Sequence, residues 1–199
     1  MRSPYKGVPT NKWSEVTRKL VEKHPLSTQE IVDVVLSSWD SIFASGIGPK
    51  GFRIGEDIFP KPQIMGFFLH ELIPLELAER NRGIWQGETS SEDKDIVYIP
   101  DSIYSIELKT SSNPRHIYGN RSYAQASSRG KKAKSGYYLA VNFGKFTDKK
   151  SRPQIRLIRF GWIDSCDWIG QKAATGQQSR LHRDVESSKL LELYSPGSK

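Results

Sequence analysis

Residues 94–110, with the sequence KDIVYIPDSIYSIELKT, are the most informative stretch of the chain. Ile, Val and Tyr dominate residues 95–99 and 103–109, whereas Pro100-Asp101-Ser102 between them are residues that favour turns. The pattern predicts two short antiparallel strands joined by a tight turn.

The expected register of this hairpin brings charged side chains together. Antiparallel pairing about the turn centre places Asp95 opposite Glu107, since both lie six residues from that centre. Side chains alternate along a strand, so Glu107 and Lys109 share one face while Ile106 and Leu108 share the other. Two carboxylates and one ammonium group therefore meet at one end of a hairpin whose reverse face is apolar.

A divalent metal ion would account for this group of charges. Magnesium prefers a few carboxylate oxygens, completed by waters and substrate phosphate oxygens. Asp95 and Glu107 would supply the carboxylates, and the carbonyl of Leu108 a further oxygen. Lys109 beside the metal would orient or deprotonate an attacking water. The other interpretation is a surface hairpin in which Lys109 forms an ion pair.

The spacing of Asp95 from Glu107-Leu108-Lys109 resembles the bipartite signature of PD-(D/E)XK nucleases. Pro100-Asp101 also reads Pro-Asp, but it lies in the turn, so the acid of the motif is assigned to Asp95. Further segments resemble the ScaI-type type II restriction endonucleases over nearly the whole chain. They are 59–74 (FPKPQIMGFFLHELIP), 105–114 (SIELKTSSNP), 117–125 (IYGNRSYAQ) and 173–178 (AATGQQ).

The resemblance implies a restriction endonuclease that acts as a homodimer on double-stranded DNA with Mg²⁺ and without a nucleotide cofactor. It implies the palindrome AGTACT, cut to blunt ends. Asp95, Glu107 and Lys109 would be catalytic, and Glu71 in the preceding helix would be an auxiliary catalytic carboxylate or else a solvated side chain. Two alternatives remain: a structure-directed repair or junction nuclease of the same fold, and a non-catalytic basic DNA-binding module.

Composition describes a one-domain protein that is long enough to bury a sizeable core. The 199 residues are 36% hydrophobic, and the mean hydropathy is −0.57. No apolar run approaches the length of a membrane span, and the first residues have no signal-peptide core, so a cytoplasmic protein is expected. The single cysteine, Cys166, excludes an internal disulfide framework.

The basic residues are concentrated after the hairpin. Thirty Lys and Arg against 22 Asp and Glu give a net charge of +8, and residues 115–134 contain no acid. This segment is either a solvated face or a surface that contacts DNA phosphates. The candidate DNA contacts from this part of the chain are Asn113, Arg115, Asn120, Arg121, Lys131 and Lys132.

Residues 170–180 form a cluster of small and amide side chains. Gln can pair with adenine in the major groove and Arg with guanine. Gln177, Gln178 and Arg180 are therefore candidates for base recognition, with a flexible polar loop as the alternative.

Periodicity predicts helices flanking a sheet. Predicted helices cover 12–24, the stretch from the capping box at Ser27 to Gly46, 61–80, 121–134 and 184–193. In the third helix Pro74 is expected to kink or end the first half, and Ile64, Phe67, Phe68, Leu72 and Leu75 to face the core. Residues 46–60 are expected to be a loop, with a short strand as the alternative, residues 81–94 a loop, and residues 137–143 and 154–162 strands.

These elements predict an α/β (α+β) fold with a central mixed β-sheet of about four strands flanked by helices, as in the PD-(D/E)XK core. We expect one nuclease domain over residues 1–199. Residues 1–46 would be its N-terminal helical part, 61–163 its catalytic core, and 164–199 its recognition and closing segment.

Overall fold

The computed structural model describes residues 3–125, 134–147, 151–173 and 175–197. Its α-helices are α1 (Trp13–Glu22), α2 (Thr28–Ala44), α3 (Pro62–Arg80) and α4 (Arg183–Ser188). Short 3₁₀ helices cover Thr10–Lys12, Ser102–Tyr104, Arg121–Ala124 and Ser165–Asp167. No described helix is both long enough and apolar enough to span a membrane.

The strands form a six-stranded mixed sheet, a three-stranded sheet and a two-stranded ribbon. In chain order they are β1 (Gly46–Ile47), β2 (Phe52–Arg53), β3 (Trp85–Gly87), β4 (Ile96–Tyr98), β5 (Ile106–Ser111), β6 (Tyr118–Asn120), β7 (Gly136–Phe143), β8 (Ile155–Ile163), β9 (Trp168–Gly170), β10 (Gln178–Leu181) and β11 (Leu190–Tyr194). The large sheet has the order β11-β8-β7-β5-β4-β3, and β5 and β7 are parallel. The mixed α+β class is therefore confirmed.

The expected count of about four strands was too low, because the large sheet has six. Its four inner strands β4, β5, β7 and β8 are the predicted ones. Residues 81–94, expected to be a loop, contain β3, and the helix expected over 184–193 ends at Ser188, so that Leu190 begins β11 against β8. The two strands of the large sheet that were not predicted, β3 and β11, are its edge strands. They are short and form by pairing with a neighbour, so their own sequences show no strand periodicity.

Phe68 and Leu72 of helix α3 pack against the core as expected, but the other three residues of the predicted face do not. Ile64, Phe67 and Leu75 are 49%, 60% and 61% exposed, whereas Met65, Leu69, Ile73 and Leu77 are buried. The helix is apolar on nearly every side, so its spacing does not identify the packed face. It also continues through Pro74 rather than ending there.

The predicted helices at the N-terminus are confirmed as α1 and α2. Helix α2 starts at the predicted cap, where the Ser27 hydroxyl accepts the N–H of Glu30 at 3.2 Å. Of the helix expected over 121–134, residues 121–124 form a 3₁₀ helix, and residues 126–133 lie outside the described part.

The two faces of the large sheet are covered differently. Ile106 and Leu108 of β5 point to the main core, which includes residues of α2 and α3 such as Trp39 and Leu69. Tyr138 and Ala140 of β7 point the other way, into a smaller cluster with Trp168, Leu181 and Val185. Helix α4 and the three-stranded sheet therefore cover the second face. The side chains of Glu107 and Lys109 point to this same face.

A buried ion pair network lies at the elements that cover this second face. Lys189 is 2% exposed, and its Nζ donates to Asp164 at 3.1 Å and to Asp167 at 2.8 Å. The same ammonium lies 4.2 Å from the ring centroid of Tyr5 and 4.5 Å from that of Trp13. Since these residues come from both ends of the chain, the network joins the N-terminal segment to the β9 and β11 region.

His24, between α1 and α2, is buried among aromatic rings and stays neutral. Its ring centroid lies 4.5 Å from that of Tyr137 and 4.8 Å from that of Phe160. Nδ1 accepts the Leu26 N–H at 3.2 Å, so Nε2 carries the proton and donates to the Tyr104 carbonyl at 3.0 Å. Burial lowers the pKa of His24 from 6.5 to about 4, although the hydrogen bond that it donates to the Tyr104 carbonyl opposes the shift.

Acidification is therefore expected to destabilise the protein through His24. The unfolded chain binds a proton below pH 6.5, while the folded ring does so only near pH 4, so stability falls as pH drops between these values. Between pH 7 and pH 5 this residue accounts for a loss of about 2 kcal/mol. Urea unfolding of the wild type and of His24→Gln at both pH values measures it. Equal losses in the two proteins would contradict the assignment.

Candidate active site

The hairpin predicted from residues 94–110 forms, and its register is as expected. Ile96 pairs with Ile106, which makes Asp95 and Glu107 the next opposed positions. The Oδ2 atom of Asp95 accepts the N–H of Leu108 at 2.6 Å, so this carboxylate is held at the beginning of β4. The connection is longer than a tight turn, because the 3₁₀ helix Ser102–Tyr104 lies within it.

Glu107 and Lys109 form a nearly buried pair on the predicted shared face. Glu107 is 2% exposed, and its Oε1 accepts from the Lys109 ammonium at 2.6 Å and from the Tyr123 hydroxyl. Lys109 also donates to the Leu108 carbonyl at 3.1 Å and lies 4.7 Å from the centroid of the Tyr123 ring. The ammonium is thus held by two oxygen atoms and an aromatic ring.

Tyr123 is a site residue that the sequence analysis missed. Burial raises its pKa well above the ordinary phenol value, and the charges of Glu107, Asp95 and Glu88 raise it further. The hydroxyl therefore stays protonated and acts as a hydrogen-bond donor to Glu107. Tyr123 lies in the segment 117–125 that carries the family resemblance, but nothing local in the sequence connects it to a residue sixteen positions earlier.

The end of β5 lies against α3 at a glycine. A Cβ atom added to Gly66 would lie 2.6 Å from the Thr110 hydroxyl, so a larger residue would force the Thr110 side chain or the helix to shift. One turn further along, the Nδ1 of His70 lies 3.9 Å from Oδ2 of Asp95. Glu71 is exposed and forms no hydrogen bond or ion pair with a described residue. The helix therefore turns His70 toward Asp95, and the catalytic role of Glu71 stays a prediction.

Glu88 is a third carboxylate at this edge of the sheet. Gly87 of β3 pairs with Ile96 of β4, so Glu88 follows opposite Asp95, which is itself opposite Glu107. The charge of Glu88 reaches Tyr123, whose pKa it helps to raise. Glu88 was not predicted, because residues 81–94 were expected to be a loop, and only strand β3 aligns this carboxylate with Asp95.

The donor atoms here suit a hard cation bound mainly through its substrate and waters. Within the described residues no group of three or more His, Cys, Asp and Glu side chains forms a ready metal cage. Asp95, Glu107 and the carbonyl of Leu108 offer oxygen atoms alone, which fits Mg²⁺ better than Zn²⁺. Magnesium commonly uses one or two carboxylates and keeps several waters, so a donor set of this size is sufficient.

The loop after β5 is organised by its own side chains. The Oδ1 of Asn113 accepts the N–H groups of Arg115 at 3.0 Å and His116 at 2.9 Å. Asn142 of β7 donates to the carbonyls of Asn113 at 2.9 Å and His116 at 3.1 Å. Asn113 therefore shapes the loop, whereas the side chain of Arg115 is exposed.

The three-stranded sheet brings together three of the nine residues predicted to contact DNA, Asn120, Gln178 and Arg180. Asn120 of β6 pairs with Gln178 of β10, and Tyr118 pairs with Arg180. These four residues are exposed, whereas the intervening Ser179 is buried. They form one polar face. Residues 178–181 are therefore a strand and not part of the flexible loop considered above.

Two other predicted contacts lie beside this face. Gln177 is exposed just before β10, and its carbonyl accepts the N–H of Arg121 at 2.8 Å. The Arg121 guanidinium donates to the carbonyls of Gly176 at 3.2 Å and Ala173 at 3.4 Å, so it also braces the loop. Lys131 and Lys132 lie outside the described residues.

Comparison with known proteins now identifies the family. The family model of the ScaI restriction endonuclease matches residues 3–194. The chain belongs to this family. The type II restriction enzyme ScaI of Streptomyces caespitosus is 51% identical over 199 residues, which cover 99% of this chain and 87% of that enzyme. The family resemblance drawn from segments on both sides of the hairpin is therefore confirmed.

Replacing Lys109 with Ala is expected to slow single-turnover DNA cleavage by at least about 100-fold, the usual contribution of a positioned acid or base. DNA affinity without Mg²⁺ should change little, since this ammonium is occupied by Glu107 and Leu108. Lys23→Ala removes the same charge at an exposed position outside the active site and the proposed DNA contacts, and serves as the control. Undiminished cleavage by Lys109→Ala would show that the active site lies elsewhere.

The matched pair Glu88→Gln and Glu71→Gln distinguishes the two auxiliary carboxylates. Glu88 lies in line with Asp95 and Glu107, so its loss should slow cleavage roughly tenfold, as for groups that surround metal ligands. Glu71→Gln should have a smaller effect. Cleavage rates at saturating Mg²⁺ and DNA measure both, and a larger loss in Glu71→Gln would reverse the assignment.

Proposed function

We propose that this protein is a type II site-specific deoxyribonuclease, which hydrolyses one phosphodiester in each strand of double-stranded DNA with the aid of Mg²⁺. The observation that carries the proposal is the alignment of Asp95 with Glu107 on adjacent strands, with Lys109 held against Glu107 at 2.6 Å. Membership of the restriction endonuclease family supports the reaction and the DNA substrate.

A PD-(D/E)XK assignment of the core is part of the proposal. The acid of that motif directly precedes β4, and its Glu-Leu-Lys segment lies on β5, both inner strands of a mixed sheet. Helix α3 packs against β5 beside them, through the close approach of Gly66 to Thr110. Together these features support the assignment.

Each residue of the site would have a separate part in hydrolysis. Asp95, Glu107 and the Leu108 carbonyl would hold Mg²⁺, which when bound supplies positive charge to the phosphate and to the attacking water. Leu108 N–H fixes the Asp95 carboxylate, and the Tyr123 hydroxyl fixes that of Glu107. Lys109, held between Glu107 and the Leu108 carbonyl, would orient the attacking water and offset charge at the phosphorus centre.

The polar face of the small sheet is the proposed reader of DNA sequence. Amide and guanidinium side chains there, from Asn120, Gln178 and Arg180, are of the kinds that pair with adenine and guanine edges. We propose AGTACT, cut to blunt ends, as the site, and a homodimer whose two-fold symmetry matches that of the palindrome.

Digestion of a sequenced plasmid is the experiment that tests this function. With Mg²⁺ we expect discrete fragments whose ends map to AGTACT and carry 5′-phosphates, and no cleavage in EDTA. Fragments mapping to another sequence would retain the enzyme class and reject the inherited specificity.

The remaining outcomes identify the other functions. A smear that is independent of sequence would indicate a structure-directed nuclease, since such enzymes rely on phosphate contacts. Intact DNA with every divalent metal would indicate a binding module. The Lys109→Ala variant, prepared in parallel, excludes a contaminating nuclease.

A further inference from the structure

A cavity of about 610 Å³ opens on the active-site face of the large sheet, and none of the proposed catalytic residues lines it. Helix α1, helix α4, strand β11 and the loop after β5 surround it, and Arg159 of β8 lies in its wall. Its volume is typical of sites that bind small molecules. Its charged lining consists of Arg18, Arg115, Arg159, Arg183, Glu186 and Glu192, together with His116.

Arg159 is the most unusual member of this lining because it is only 4% exposed. Its Nη2 donates to the Arg115 carbonyl and to Oδ1 of Asn142, the latter at 3.1 Å. Its Nε has no hydrogen-bond partner among the described residues, and no described carboxylate forms an ion pair with it. Burial lowers the pKa of Arg159, while the charge of Glu186 opposes that shift. A buried guanidinium whose Nε lacks a hydrogen-bond partner is stabilised by an anion placed next to it.

The acids of the lining are already engaged. Both carboxylate oxygens of Glu186 accept hydrogen bonds, Oε2 from His116 at 2.6 Å and Oε1 from the Ile117 N–H at 3.0 Å. Glu192 accepts from the Ser195 hydroxyl at 2.7 Å. Four arginines against two acids leave the cavity positive. Guanidinium groups from several elements line the cavity, and such groups bind phosphate through paired N–H donors.

The cavity lies near the catalytic strand and on the same face. Lys109 of β5 pairs with Ala140 of β7, which pairs with Arg159 of β8. Side chains in one such row point to the same side, so Lys109 and Arg159 are separated by two strand spacings, about 10 Å. The loop that leaves β5 runs between them, and its carbonyls at Asn113 and Arg115 are held by Asn142 and Arg159.

We propose that this cavity is a phosphate-binding site, with Arg159 in its wall and Arg18, Arg115 and Arg183 at its sides. The phosphate is either a backbone phosphodiester of the bound DNA, away from the bond that is cut, or a free phosphate or phosphomonoester. The assignment to a phosphate of bound DNA rests on the proposed nuclease function, whereas the assignment to a free phosphate does not.

Arg18→Gln and Arg183→Gln are the test variants. Both side chains are exposed and neither forms a hydrogen bond or ion pair with a described residue, so their loss leaves the fold intact. Arg156→Gln, an exposed arginine of β8 outside the cavity, removes the same charge and is the matched control. Arg159 itself is left unchanged, because its hydrogen bonds hold the loop.

The DNA source is tested by the salt dependence of binding. In a Lys109→Ala background without Mg²⁺, the slope of log K against log [KCl] is measured with a duplex that contains AGTACT. Loss of one phosphate contact should reduce the slope by about 0.9 in Arg18→Gln and in Arg183→Gln, and leave Arg156→Gln close to the parent.

Binding of free phosphate in the cavity is tested with inorganic phosphate alone. The melting temperature of the full-length protein is followed as phosphate replaces chloride at constant ionic strength, because a ligand that binds the folded state raises it. A rise in wild type and Arg156→Gln that is lost in Arg18→Gln and Arg183→Gln supports the site.

The combined results are decisive. A reduced salt slope confined to the cavity variants assigns a DNA phosphate, and a phosphate-induced rise confined to proteins with an intact cavity assigns a free phosphate. If the cavity variants behave as Arg156→Gln does in both measurements, the proposal is wrong. Failure of wild-type protein to bind duplex DNA would reject the nuclease function, while the melting experiment would still test the cavity.

Discussion

The burial of Glu107 against Lys109 and Tyr123 is the constraint on which the candidate active site depends. A carboxylate with 2% exposure needs compensation for its lost hydration. The ammonium of Lys109 and the hydroxyl of Tyr123 supply it from the same strand and from the loop after β6. This requirement holds three side chains in one geometry before any substrate arrives, which is how preorganised charges favour a reaction.

The division of the sheet into two faces makes such a site compatible with a stable fold. Alternation along β5 sends Ile106 and Leu108 into the main core and Glu107 and Lys109 to the other side. The helical face contributes the apolar burial, so the opposite face can carry charge. The cavity around Arg159 lies on that same opposite face, so both proposed phosphate-handling regions use it.

Several features could be predicted because they depend on residues close together in sequence. The opposition of Asp95 and Glu107 follows from strand alternation and the position of the turn, and the start of α2 follows from the capping residue Ser27. The packed face of α3 could be predicted only in part, since apolar residues surround that helix. Glu88 and Tyr123 were missed for a related reason: each reaches the site only through pairing or folding over a distance that no local pattern encodes.

The sequence by itself determined the family, the two strands that carry the motif and the opposite faces for apolar and charged side chains. These properties rest on residue type and on a repeat of two along a strand. Only the tertiary structure decided which further groups surround the motif. It aligned Glu88 with Asp95, turned His70 rather than Glu71 toward that carboxylate, and paired Asn120 with Gln178. Such neighbours arise from the pairing of distant segments, because the buried surface and hydrogen bonds that select them exist only once the chain has folded.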